Sequence, residues 1–121
     1  TDGFNLHLDT DGFTARLVAQ SEAAIFSIVQ EAVNNARKHA EARNVWIAAQ
    51  QKTGFLTITV QDDGRGFDVA SVEGGYSNRG SLGLLNMKER AEIAHAQMTL
   101  SSQVGRGTLV SIVLPIEDQS K

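Results

Sequence analysis

The chain has 121 residues, with 11 Gly, one Pro, no Cys and a formal net charge of −3. That length suits one domain with a hydrophobic core, and 41% hydrophobic with 21% charged residues excludes wholesale disorder. Zero Cys removes disulfides, thiolate zinc sites and cysteine nucleophiles, and the acidic balance argues against a nucleic-acid-binding module, which is normally basic. The longest nearly apolar stretch, Ala23 to Val29, is interrupted by Ser27 and falls far short of the roughly 20 residues that span a bilayer. The opening Thr1-Asp2-Gly3-Phe4 has neither the basic nor the apolar region of a signal peptide. With no initiator Met, the chain reads as a cytoplasmic domain cut from a longer protein.

Phe4, Leu6 and Leu8 alternate with polar residues, which predicts a short strand, and Asp9-Thr-Asp-Gly12 carries a turn signal. Ser21 is a candidate N-cap, with Glu22 in the first turn, for a helix running to about Glu41. Ile25, Ile28, Val29, Ala32, Val33, Ala36 and Ala40 fall on one broad face of it. Val45-Trp46-Ile47 begins a strand, Thr53-Gly54 turns it, and Phe55 to Asp62 forms the next, a hairpin. Residues 63 to 81 have no clear period and read as a loop, whose length points to function. Leu82 to His95 reads as a second helix. Met98 to Ser102 and Thr108 to Leu114 read as strands around a Val104-Gly-Arg-Gly107 turn, and Pro115 ends the last.

Three constellations could carry chemistry. Glu31, Asn35 and Lys38 share one helix face, about 100° from the centre of the apolar face. There the amide can ligate a hard cation such as Mg2+, the ammonium can meet a phosphate, and the carboxylate can position a water or hydroxyl. Alone, such a stripe is more often a solvated helix face. In Phe55–Asp62, parity puts Asp62 on the same side as Leu56, Ile58 and Val60. A carboxylate ending an apolar stripe is costly unless a donor meets it, and a purine amino group above an apolar slot is a suitable donor. Gly64 and Gly66 allow a tight turn there, although Asp-Gly is also an ordinary turn pair. Gly80 and Gly83 lead into the second helix, where exposed amides and the helix dipole favour anions. No Walker P-loop and no Rossmann fingerprint is present. Thr108 shares the parity of Val110, Ile112 and Leu114 and could bond a base edge, or be an ordinary strand residue.

Other residues read as structural. His39 reads as structural or as lining the pocket, and the isolated His7 and His95 as exposed surface; three scattered His make no metal site. Asp62 and Asp63 are adjacent on a strand end, point oppositely, and do not form a paired acid and base. Trp46 reads as packing.

The order of these segments is more specific than any one of them. Gln30-Glu-Ala-Val-Asn-Asn-Ala-Arg-Lys-His-Ala40 resembles the N box of the GHKL ATPase superfamily (gyrase, Hsp90, histidine kinases, MutL). Asp62-Asp-Gly-Arg-Gly-Phe67 resembles its first glycine box. Gly80-Ser-Leu-Gly-Leu-Leu-Asn-Met-Lys-Glu-Arg-Ala91 looks like its second, in the form used by sensor histidine kinases paired with LuxR-type response regulators. Ser101 to Pro115 is similar to the closing hairpin. The resemblance runs from about residue 4 to 116 and implies the Bergerat fold, an α/β two-layer sandwich of a mixed β-sheet with helices packed on one face. It further implies one ATP-binding catalytic domain over residues 1–121, with a nucleotide lid at about 66–82.

Carried over by position, the resemblance implies that Asp62 binds the adenine amine with Thr108 nearby, Asn35 ligates Mg2+ and Lys38 contacts phosphate. Gly64 and Gly66 would shape the adenine end, and Gly80 and Gly83 would face the phosphates. Glu31 matches the general base of hydrolytic members. Leu82 departs from the family, since many members have Gly there. The implied function is to bind Mg-ATP and present its γ-phosphate for autophosphorylation of a histidine on a separate dimerisation domain, in two-component signalling. Nothing in the chain resembles that domain, so the chain alone is an incomplete histidine protein kinase. Its implied partners are ATP or ADP, its own dimerisation domain and a response regulator, with no nucleic acid and no membrane contact. Its implied setting is the cytoplasm, within a membrane-associated or cytosolic bacterial sensor kinase. Two alternatives stand beside it: an anti-sigma-factor serine kinase of the same fold, and a nucleotide-responsive binding module without phosphoryl transfer.

Overall fold

Strand alternation and helical spacing sort the apolar residues onto one side of each element, and the elements stack accordingly. The computed structural model describes residues 5–12, 17–38, 41–66 and 78–116. In chain order these form β1 (Asn5–Gly12), α1 (Ala19–Lys38), β2 (Asn44–Lys52), β3 (Phe55–Asp62), α2 (Asn78–Ile93), β4 (Gln97–Ser102) and β5 (Thr108–Pro115). The strands make one five-stranded sheet in the order β1-β2-β3-β5-β4. β1 and β2 run parallel, joined through α1 as a parallel crossover requires, and the remaining neighbours are antiparallel. Thr53 and Gly54, both at positive φ, close the β2–β3 hairpin in the type I′ manner.

The core lies between the two described helices and one sheet face. α1 contributes Ala24, Ile25, Ile28, Ala32 and Ala36, α2 contributes Met87 and Ala91, and Ala94 follows just after α2. β3 meets them with Leu56, Ile58 and Val60, and β5 with Val110, Ile112 and Leu114. Ile28, Leu56 and Ile112 are completely buried, each stabilising the fold by roughly 1.5–3 kcal/mol. The small Ala residues on both helices permit close approach. The result is the two-layer α/β sandwich that the motifs implied. Among the described residues no helix is long and apolar enough to cross a membrane.

Three local readings change. Asp9-Thr-Asp-Gly12 continues β1, and a register shift between Asp9 and Gly12 takes the place of the turn, because pairing with β2 outweighs the local turn preference. Leu6 and Leu8 lie opposite Val45 and Ile47 but remain exposed, since β1 is the edge strand. α1 begins at Ala19, so Ser21 is a buried residue of its first turn and not the cap; the helix is described to Lys38, and the expected end near Glu41 involves His39 and Ala40, which lie outside the described residues. α2 begins at Asn78, four residues before the predicted start, and ends with His95 in a left-handed conformation. There the His95 N–H donates to the Glu92 carbonyl and the Ala96 N–H to the Ala91 carbonyl, a Schellman closure that satisfies the helix end.

Candidate functional site

The register of three strands builds one corner of the sheet. Asp62, the last residue of β3, lies opposite Val45 on β2 and Thr108 on β5. It is buried, at 8% exposure, on the same face as Leu56, Ile58 and Val60. Its Oδ1 accepts the Gly64 N–H at 2.8 Å. Burial pushes the Asp62 carboxyl above its usual range, against the lowering effect of hydrogen bonds from the Gly64 and Thr108 backbone; the neighbouring Asp63 charge adds to the rise. Asp63 points to the other side of the strand, so the two carboxylates form no acid–base pair.

The loops around Asp62 leave no space for side chains at two positions. Gly107 has φ 83°, and a Cβ there would run into the Asp62 carbonyl oxygen. Gly66 has φ 67°, and a Cβ there would run into the Gln103 carbonyl oxygen. Both backbones favour glycine twice over, by conformation and by contact. Across the β4–β5 turn, the Ser102 hydroxyl donates to the Gly107 carbonyl at 3.0 Å and lies 2.8 Å from the Thr108 hydroxyl. Asp62, Gly107, Thr108 and Ser102, with Gln61 and Arg106, help to line a cavity of about 160 Å3 at this end of the sheet.

A second hollow of about 230 Å3 lies between the helices, lined by Ser27, Gln30, Glu31, Asn34, Asn86, Met87 and Arg90. Glu31 is half-buried there. Asn35 is half-buried one turn further along α1, beside the core residues Ala32 and Ala36, and lines neither hollow. Lys38 closes α1, and its side chain lies outside the described residues, as do His39 and residues 67–77 of the expected lid. Gly80 and Gly83 belong to the first two turns of α2. The structure therefore brings Asp62, Gly64, Gly66 and Thr108 to one corner and sets Glu31 in the groove between helices.

Among the described residues no three His, Asp or Glu side chains gather as a metal site. The Asn35 amide oxygen is one group that could ligate a hard cation together with ligand oxygens and water. The turn at Gly107 is legible in the sequence, whereas no motif marks Ser102. Ser102 shares the parity of Met98 and Leu100, so alternation along β4 could have placed it beside Thr108.

A family model described as histidine kinase-, DNA gyrase B-, and HSP90-like ATPase matches residues 20–118. The chain belongs to this ATPase family. It is 42% identical over 109 residues to a sensor-like histidine kinase of Chloroflexus aurantiacus, a match covering 89% of the chain and 18% of that protein. With the histidine-protein kinase/phosphatase DegS of Bacillus subtilis it shares 38% identity over 101 residues, covering 84% of the chain and 26% of DegS. The chain thus spans about a fifth to a quarter of these relatives. The histidine kinase domain of the blue-light activated kinase of Erythrobacter litoralis EL346 superposes with a TM-score of 0.78 at 25% identity, over 96% of the chain and 53% of that domain. Both fold and family give the chain the ATP-binding catalytic role of a histidine kinase ATPase domain, in the Bergerat fold.

Proposed function

We propose that the chain binds Mg-ATP with its adenine at Asp62 and presents the γ-phosphate to a histidine on a separate dimerisation domain. The observation that carries this reading is the buried Asp62 carboxylate, aimed from the end of an apolar stripe at a glycine-shaped corner within a histidine kinase ATPase domain. A purine amino group donating to Asp62 would offset the cost of burying it. Thr108 would bond the base edge, Gly64 and Gly66 would border it, and Lys38, Gly80 and Gly83 would meet the phosphates. Asn35 would hold Mg2+, which supplies charge neutralisation at the phosphates. Glu31 is the carboxylate on the same helix face as Asn35, proposed to orient the phosphate end.

In the transfer, the histidine nitrogen bonds the γ-phosphorus as the bond from that phosphorus to the ADP oxygen breaks, and ADP leaves. The protein's part is positioning and electrostatics. A response regulator would take the phosphoryl group onward, and the domain would work in the cytoplasm.

Calorimetry tests the reading. Asp62→Asn should weaken ADP and Mg-ATP binding by about tenfold or more, the loss of a charge-assisted hydrogen bond of roughly 1.5–3 kcal/mol. Asn35→Ala should remove the Mg2+ dependence of ATP binding while sparing most ADP affinity. A folded Asp62→Asn protein with unchanged affinity would overturn the adenine assignment. Transfer from γ-labelled ATP to histidine, once the dimerisation domain is supplied, tests the reaction.

A further inference from the structure

The carboxylate next to Asp62 makes a cluster of bonds that the binding site does not use. Asp63 Oδ1 accepts two consecutive backbone N–H groups, those of Arg43 and Asn44, each at 2.9 Å. Its other oxygen accepts the Asn44 side-chain amide at 2.9 Å. The Asp63 N–H in turn donates to the Asn44 carbonyl at 3.3 Å. Four hydrogen bonds thus tie the exit of β3 to the start of β2, three to Asn44 and one to Arg43 just before it.

Asn44 is held from its far side as well. Its Oδ1 lies 3.0 Å from His7 Nε2, and the His7 ring stacks on Trp46 at 5.5 Å between centroids and 13° between planes. With its NH2 on a carboxylate and its oxygen on a ring nitrogen, the Asn44 amide has one satisfied orientation. The corner itself is pinned to β1 by the Asn5 N–H, which donates to the Arg43 carbonyl at 2.7 Å.

We propose that Asp63, clasped by Asn44, is a positioning residue: it sets the exit of β3 so that the Asp62 carboxylate meets the purine amino group. The inference rests on the reading of Asp62 given above. Asp63 is exposed and lies on the opposite side of the strand, so it acts through the main chain and not on the base. Asp62 binds the Gly64 N–H across a turn whose central residue is Asp63. Whatever fixes the backbone at 63 therefore fixes the direction of the carboxylate at 62. A hydrogen bond weakens steeply once its angle is lost, so a small rotation there would cost recognition of the amino group. The same bonds, led by the Asn44 amide, hold the Asp63 carboxyl below its usual range and keep the clasp charged.

The test compares calorimetric affinities for ATP and for purine riboside triphosphate, which lacks the amino group. Wild type should prefer ATP by about tenfold or more. Asp63→Ala should cut that preference to about threefold or less while binding the amino-free analogue within about twofold of wild type. Asp63→Asn keeps one acceptor oxygen for the two backbone N–H groups and should restore most of the preference. The ratio is immune to a partly unfolded sample, which scales both affinities alike. Should Asp63→Ala fail to fold, Asp63→Ser, whose shorter side chain withdraws the carboxylate from the Arg43 and Asn44 N–H groups, decides in the same way. An unchanged preference in these variants, or an equal loss for both nucleotides, overturns the positioning role. A wild type without preference overturns the reading of Asp62 instead, and the inference with it.

Discussion

The hollow at Asp62 and the hollow between the helices are built by different means. The corner at Asp62 is fixed by main chain, although Gln61, Gln103 and Arg106 also line it: strand ends in fixed register, two glycines at positive φ, and a carboxylate held by a backbone N–H. The groove between α1 and α2 is shaped by side chains, among them Gln30, Glu31, Asn34 and Arg90. A hollow of main chain has one shape, whereas one of long side chains changes with their rotamers. Rigid recognition of a flat base suits the corner, and the groove suits contacts that must adapt.

Three measurements can break that contrast. The largest effect is expected for Gly107→Ala. The left-handed backbone costs about 1–2 kcal/mol for any other residue, and a Cβ forced against the Asp62 carbonyl adds about 1–3 kcal/mol. Urea unfolding should show the sum as lost stability, and ADP binding should fall with it. A tolerated alanine would mean that the corner yields.

The next concerns pH. The Asp62 carboxyl is raised by burial, so its contribution to stability is fully present below the ordinary value of 3.8 and is lost as pH rises through its raised value. Asp62→Asn has no such loss, so its stability relative to wild type should improve as pH rises through that window. Asp63 behaves oppositely: its contribution is present above 3.8 and is lost as pH falls through its lowered value. Unfolding curves of Asp62→Asn that track wild type at every pH would contradict the burial of Asp62. The smallest effect belongs to the groove. Arg90 is exposed, and Arg90→Ala should change stability by less than about 0.5 kcal/mol. ADP affinity should likewise stay within about twofold of wild type. A larger loss of ADP binding would place the base between the helices.

What could be seen in the sequence followed the same division. Alternation in Phe55–Asp62 and Thr108–Leu114 is local, so Asp62 and Thr108 could be assigned to the apolar face before their pairing was known. The register that sets them opposite one another confirms that parity. Features that depend on distant partners were invisible. Asp9 to Gly12 looks like a turn until β2 pairs with it. Trp46 reads as packing, yet it is 41% exposed and covered by His7, a residue far away in sequence. His7 and Asp63 looked unremarkable because the Asn44 amide that joins them lies on another strand. The start of α2 is hidden for a different reason: Gly80 and Gly83 have low helix propensity, and the packing of Met87 and Ala91 further along the helix outweighs it.

The central claim is that Asp62 receives the base, and a crystal structure of the chain with bound ADP tests it most directly. The account predicts the adenine amino nitrogen about 2.7–3.2 Å from an Asp62 carboxylate oxygen, with the base at the corner formed by Gly64, Gly66 and Thr108. A base seated between α1 and α2, or one at the corner with its amino group turned away from Asp62, would contradict it.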